Sequence, residues 1–158
     1  AYIGEGKCSN LPFNGAKGTY FEGGIRVPMI AAWPGRLPAG SVIDEPVASF
    51  DWTVSTLGLA GLPWRDQGYD GMDLMPWLTD GGAAPRDGMR WRTSPNYAIR
   101  DGDWKLINLE RADGQGFRQL LFNLADDPGE TRDLSTAEPD VVARLEAVHA
   151  AVGQRHRH

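Results

Sequence analysis

Within NGAKGTYFEGG, residues 14–24, a single lysine stands among small residues. Ala16 and Gly18 on either side of Lys17 let the backbone pass close to a ligand and let one ammonium point into a pocket. A cation placed in this way suits a tetrahedral oxyanion, because sulfate and phosphate esters carry or develop negative charge on their non-bridging and leaving oxygens. From composition alone, a solvated surface lysine remains the simpler reading. The run Gly15-Ala16-Lys17-Gly18-Thr19 lacks the spacing of a P-loop. Glu22 and Arg26, in FEGGIRVP, read as a structural pair that fixes the exit from the loop, with Gly23 and Gly24 serving backbone conformation.

Other chemistry is sparse. His149, His156 and His158 all fall in the last ten positions, and a chain end is a poor place for a general base. The terminal Arg155 to His158 reads as a frayed, solvated end rather than a metal site. Cys8 is the only cysteine, which excludes an internal disulfide and a multi-thiolate metal centre. The acidic cluster from Asp126 to Glu130 reads as a polar turn, since an oxygen-ligand cation loop needs several carboxylates converging on one point. A net charge of −5, with no basic run before the terminal QRHRH, argues against nucleic-acid and anionic-lipid partners. No apolar stretch reaches the ~18 residues of a membrane span. The start at Ala1, without initiator Met or leader pattern, is expected to be the middle of a longer protein.

The elements that must hold Lys17 come from a chain of 158 residues, 41% hydrophobic and 23% charged, in the range of a soluble globular domain. The loop runs into IRVPMIAAW, residues 25–33, which predicts a buried strand ending at Pro34-Gly35. Phe50 to Ala60 predicts a helix, with Ser49 or Asp51 as N-cap and Gly61 as its stop. The Gly, Pro and Asp of residues 68–90 predict a connection between layers. NYAIR and WKLINL flank the hairpin signal Asp101-Gly102-Asp103, and FRQLLFNL makes a third antiparallel strand. In that pattern Trp104 packs beneath a helix and Lys105 is solvated. The helix, about 137–153, starts at a capping-box pair, Ser135 and Glu138, and lines Val141, Val142, Leu145, Val148 and Val152 on one face.

The lysine segment, from Asn14 to Gly35, resembles a sulfatase segment in which Gly-x-Lys-Gly-Thr precedes Phe-Glu-Gly-Gly and a strand ending in Trp-Pro-Gly. Further sulfatase landmarks recur in order: EPVASFDWTVSTLGLAG, DGMDLMPWL, AIRDGDWKLI and LFNLADDPGETRDL. The resemblance covers nearly the whole chain and points to the C-terminal portion of a sulfatase of the alkaline phosphatase superfamily. It implies an α/β fold: residues 1–85 would be the last part of the catalytic domain, and 86–158 a small subdomain of antiparallel strands with a packed helix.

The resemblance also implies cleavage of sulfate monoesters by a formylglycine beside a calcium or magnesium ion. Lys17 would contact the sulfate, and Trp91 and Arg92 would lie near the substrate entrance. Cys8, in Cys-Ser-Asn-Leu-Pro, is outside the modification motif, so nucleophile and metal ligands are expected upstream of Ala1 and this chain alone is expected to be inactive. The implied partners are a sulfated small molecule or carbohydrate and the remainder of the catalytic domain, in a periplasmic or secreted setting. Two alternatives stay open at this point: a phosphodiesterase or phosphonate monoester hydrolase of the same superfamily, and a non-catalytic binding domain.

Overall fold

A computed structural model describes residues 9–81, 84, 86 and 88–155, the side chains of 152–155 excepted. Cys8, His156 and His158 lie outside the described residues. The chain forms two compact units, Ala1–Pro28 with Arg90–His158, and Met29–Met89.

The first unit is built on a four-stranded sheet of order β1-β2-β3-β4, comprising Gly88–Thr93, Asn96–Asp101, Trp104–Glu110 and Phe117–Asn123. β2 pairs antiparallel with β3, and β3 with β4. Asp101 lies opposite Trp104, leaving a two-residue loop in which Gly102 takes a φ of 58°, a value open to glycine at little cost. Alternation along the strands sends Ile99, Leu106 and Leu121 to one face and Ala98, Ile107, Leu120 and Phe122 to the other. Both faces are apolar, so both need cover.

The helix α4, Pro139–Arg155, covers the first face through Val142 and Leu145. Burying a leucine such as Leu145, which is fully enclosed, contributes about 2 kcal/mol. Trp104 packs against this cluster, as the alternation predicts. The capping-box expectation is corrected. Ala137 and Glu138 both donate to the Leu134 carbonyl, Glu138 is the last residue before Pro139, and its carbonyl accepts the first helical bond from Val142. Ser135 instead donates its N–H to Asp133 Oδ1 at 2.9 Å, so it belongs to the preceding turn. A proline at the first helical position needs no N–H partner, which favours a start at 139.

In the second unit the helix α2, Ser49–Leu59, has Ala48 as its N-cap. Ser49 does not cap. Asp51 sits inside the first turn and reaches back, its Oδ2 accepting the Ala48 N–H at 2.8 Å. The C-terminus closes as expected on Gly61, with φ of 67° and a Leu62 N–H to Leu57 carbonyl bond of 3.0 Å, the pattern of a Schellman motif. Asp51 Oδ1 also accepts the Met72 N–H, and Ser55 Oγ accepts that of Leu74. These bonds tie the chain before the helix α3, Met75–Asp80, to α2.

The strand expected over IRVPMIAAW is absent. After Ile25 these residues run in irregular conformation, with Val27 80% and Ile30 96% exposed. Apolar patterning reports a tendency to be buried, but a strand also needs a neighbouring strand for its N–H and C=O groups. Among the described residues none lies alongside.

Candidate active-site lysine loop

The lysine loop packs on the sheet face that α4 leaves open. Lys17 occupies the second position of a tight turn, in which Thr19 N–H donates to the Ala16 carbonyl at 3.0 Å. Gly18 takes the third position with φ of 90°, a left-handed value that a side chain would oppose. Thr19 locks the turn from its side chain: Oγ1 donates to the Ala16 carbonyl at 2.8 Å and accepts the Ala16 N–H at 3.2 Å.

The one-turn helix α1, Glu22–Ile25, lies against this turn so closely that its glycines cannot be replaced without displacement. A Cβ on Gly23 would stand 2.6 Å from the carbonyl oxygens of Asn14 and Gly15, and one on Gly24 would stand 2.4 Å from that of Thr19. Asn10 Nδ2 adds a bond to the Gly23 carbonyl at 2.8 Å. The glycines of the motif thus set a close packing of backbone on backbone, and Lys17 rides on a stiff support.

The support is anchored by a buried charge cluster. Lys105, on β3, is fully buried and places its Nζ 2.8 Å from Glu22 Oε1 and 2.8 Å from Glu130 Oε1. Glu130 Oε2 accepts the Glu22 N–H at 2.6 Å, and Arg26 approaches Glu22 Oε2 at 3.7 Å from a half-exposed position. Around these charges Tyr20, Phe21 and Trp91 pack on Ala98, Ile107, Leu120 and Phe122. The expectation of a solvated Lys105 is therefore corrected: alternation put it on the face away from α4, but that face is covered by the lysine loop. Glu22 and Arg26 are indeed close, with Lys105 the nearer partner of Glu22.

Glu130 also changes the reading of the acidic cluster. Its φ of 53° is unusual for a glutamate and costs on the order of 1 kcal/mol, borne at a position where the carboxylate is buried and ion-paired. Burial, with the Glu22 charge adding to it, raises Glu130 above the usual carboxylate range although Lys105 and the Glu22 N–H oppose this. Asp127 does act as a turn residue. Burial works against its charge, yet the N–H groups of Thr131 and Arg132 hold it below its ordinary value.

These carboxylates do not fit a calcium or magnesium site: Asp127 is taken up by backbone N–H groups and Glu130 by Lys105. No grouping of three or more Asp, Glu, His or Cys suited to a metal ion occurs among the described residues.

Lys17 itself is exposed, and no ion pair or hydrogen bond holds its ammonium among the described residues. Trp91 and Arg92, neighbours on β1, separate. Trp91 is half-buried on the lysine-loop face, whereas Arg92 is exposed and directed, by strand alternation, toward the face that carries α4. The structure thus brings Trp91 onto the face that carries the Lys17 loop, and leaves Arg92 apart. Sequence reasoning missed Lys105 and Glu130. The available signal was a lysine inside the apolar run of β3, in register with the buried Phe122 of β4.

A four-stranded antiparallel sheet with one helix, and a rigid lysine turn on its other face, completes the pattern of motifs, and the chain belongs to the sulfatase family as a C-terminal portion. It is 33% identical over 176 residues to N-acetylgalactosamine-6-sulfatase of Canis lupus familiaris, matching 94% of this chain and 34% of that protein. To arylsulfatase A of Homo sapiens it is 30% identical over 179 residues, 96% of this chain and 35% of the relative. Among solved structures, Ps i-CgsB in complex with k-i-k-neocarrahexaose superposes with a TM-score of 0.73 at 27% identity, covering 90% of this chain and 32% of that one. No protein-family model matches. The chain spans about a third of the length of the curated relatives it matches.

Proposed function

We propose that this chain is part of a sulfuric ester hydrolase and supplies Lys17 as the cation that contacts the sulfate. The observation that carries the reading is the ammonium of Lys17, unpaired among the described residues, at the apex of a turn closed by the Thr19 hydroxyl and packed closely against the glycines of α1. An ammonium fixed in place before the substrate arrives spends no reorganisation energy as charge builds on the leaving oxygen. A calcium or magnesium ion, held by the rest of the protein, would supply Lewis-acid stabilisation of the same oxygens. The substrate class we infer is a sulfated carbohydrate or small molecule, a reading supported by the N-acetylgalactosamine-6-sulfatase relatives and by the neocarrahexaose bound to Ps i-CgsB. Residues 1–85 would complete the catalytic domain, and 86–158 would be the small subdomain whose sheet carries the lysine loop.

Nucleophile and metal ligands would come from the remainder of the catalytic domain. The chain on its own, assayed with an activated aryl sulfate with and without calcium, is expected to show no turnover. Calcium-dependent turnover that survives Cys8→Ser would overturn this account.

The same division of labour predicts how the isolated chain behaves. Met29, Ile30, Val42 and Ile43 of the second unit are exposed, as is Val27 of the first, apolar side chains that the remainder of the domain would cover. The isolated chain is expected to self-associate, and Ile30→Asp to reduce that association in sedimentation or sizing measurements. A wild-type chain that stays monomeric across the accessible concentration range would count against it.

A further inference from the structure

On the α4 side of the sheet, His149 stacks on Tyr97 with ring centroids 3.6 Å apart and planes 17° from parallel. Two nitrogens here are buried and have no hydrogen-bond partner among the described residues, His149 Nδ1 and Arg90 Nε. Buried polar atoms are almost always satisfied, so a pair of orphans in one place calls for a missing partner. Arg90 and Arg92, two apart on β1, share a side of the strand, the side opposite Trp91. Burial, then the neighbouring Arg92, holds Arg90 below its ordinary value, and burial, Arg90 and Arg92 do the same to His149. The one carboxylate that acts on His149 is Glu146, which already accepts a hydrogen bond from Gln119 Nε2. Two guanidiniums therefore act on one imidazole in a partly desolvated setting where like charges repel, and Glu146 opposes them at the imidazole only.

We propose that Arg90, Arg92 and His149, floored by the Tyr97 ring, bind one sulfate or carboxylate group. A guanidinium fork matches the paired oxygens of either anion, and the imidazole adds a third nitrogen to the group. This site lies on the sheet face opposite the lysine loop and does not rest on the role of Lys17.

The test uses the full chain, carrying Ile30→Asp to limit self-association, with the His149 ring followed by NMR. It is titrated with sodium sulfate and with a sulfated disaccharide, each against sodium chloride at equal ionic strength. The His149 signals are expected to shift saturably with both anions and not with chloride. A disaccharide that binds more than about tenfold tighter than sulfate identifies a saccharide-borne group, and equal affinities identify the free oxyanion. Arg92→Gln should weaken binding about tenfold, and Arg92→Glu should abolish it, with the thermal midpoint kept because Arg92 is exposed. Chloride producing the same shift, no saturation with either anion, or Arg92→Glu titrating like the parent would each overturn the proposal.

Discussion

Lys105→Met is expected to destabilise the first unit by about 3–5 kcal/mol, the cost of leaving buried carboxylates without their cation. Methionine nearly matches the stem in length and stays apolar, so the loss isolates the charge rather than the volume. Glu22 and Glu130 would then face each other across a dry contact, with only the half-exposed Arg26 at 3.7 Å from Glu22. Urea denaturation followed by the fluorescence of the unit's tryptophans measures the effect. A change smaller than about 1 kcal/mol would mean that water, not Lys105, compensates these carboxylates.

Glu130 adds a pH signature to the same experiment. Its pKa is raised on folding, so the folded state holds that proton more tightly than the unfolded state. Its contribution is then most favourable below the ordinary carboxylate range and declines as pH rises through the raised value. Glu130→Gln keeps an acceptor for the Glu22 N–H and removes the titration, and should flatten the stability profile from that range upward. An unchanged profile would show that folding does not raise the pKa of this carboxylate.

In the longer protein that carries this segment, Lys17→Ala is expected to lower kcat/KM about a hundredfold, or about 3 kcal/mol of transition-state stabilisation. The thermal midpoint should barely move, since the ammonium makes no contact among the described residues that folding would lose. Lys17→Arg should restore only part of the rate, because a planar fork replaces a compact charge at a fixed apex. Glu22→Gln should act the other way, lowering the thermal midpoint through Lys105 and affecting the rate chiefly by loosening the turn. If Lys17→Ala folds normally and keeps more than about a third of wild-type kcat/KM, a loss below ~0.7 kcal/mol, Lys17 is a surface lysine.

Local rules carried most of the element list. The hairpin at Gly102, the stop of α2 at Gly61 and the apolar stripe of Val142 and Leu145 depend on residues a few positions apart, so they were legible in the sequence. The family resemblance was legible for a similar reason: motifs such as GAKGT and FEGG encode a turn and a close backbone contact with themselves.

What the sequence determined by itself was therefore the turn that presents Lys17, the alternation of the strands and the helix that closes one face. The tertiary structure alone decided that Lys105 is buried, because residues 83 positions apart meet at Glu22 and no period in the sequence reports that distance. It also decided that Glu130 is a buried partner and not a solvated turn carboxylate, that Trp91 and Arg92 serve opposite faces, and that His149 stacks on Tyr97. IRVPMIAAW marks the same limit from the other side. Its apolar residues prescribe burial, but a strand is a property of two segments, and one segment's sequence cannot supply the hydrogen bonds of the other.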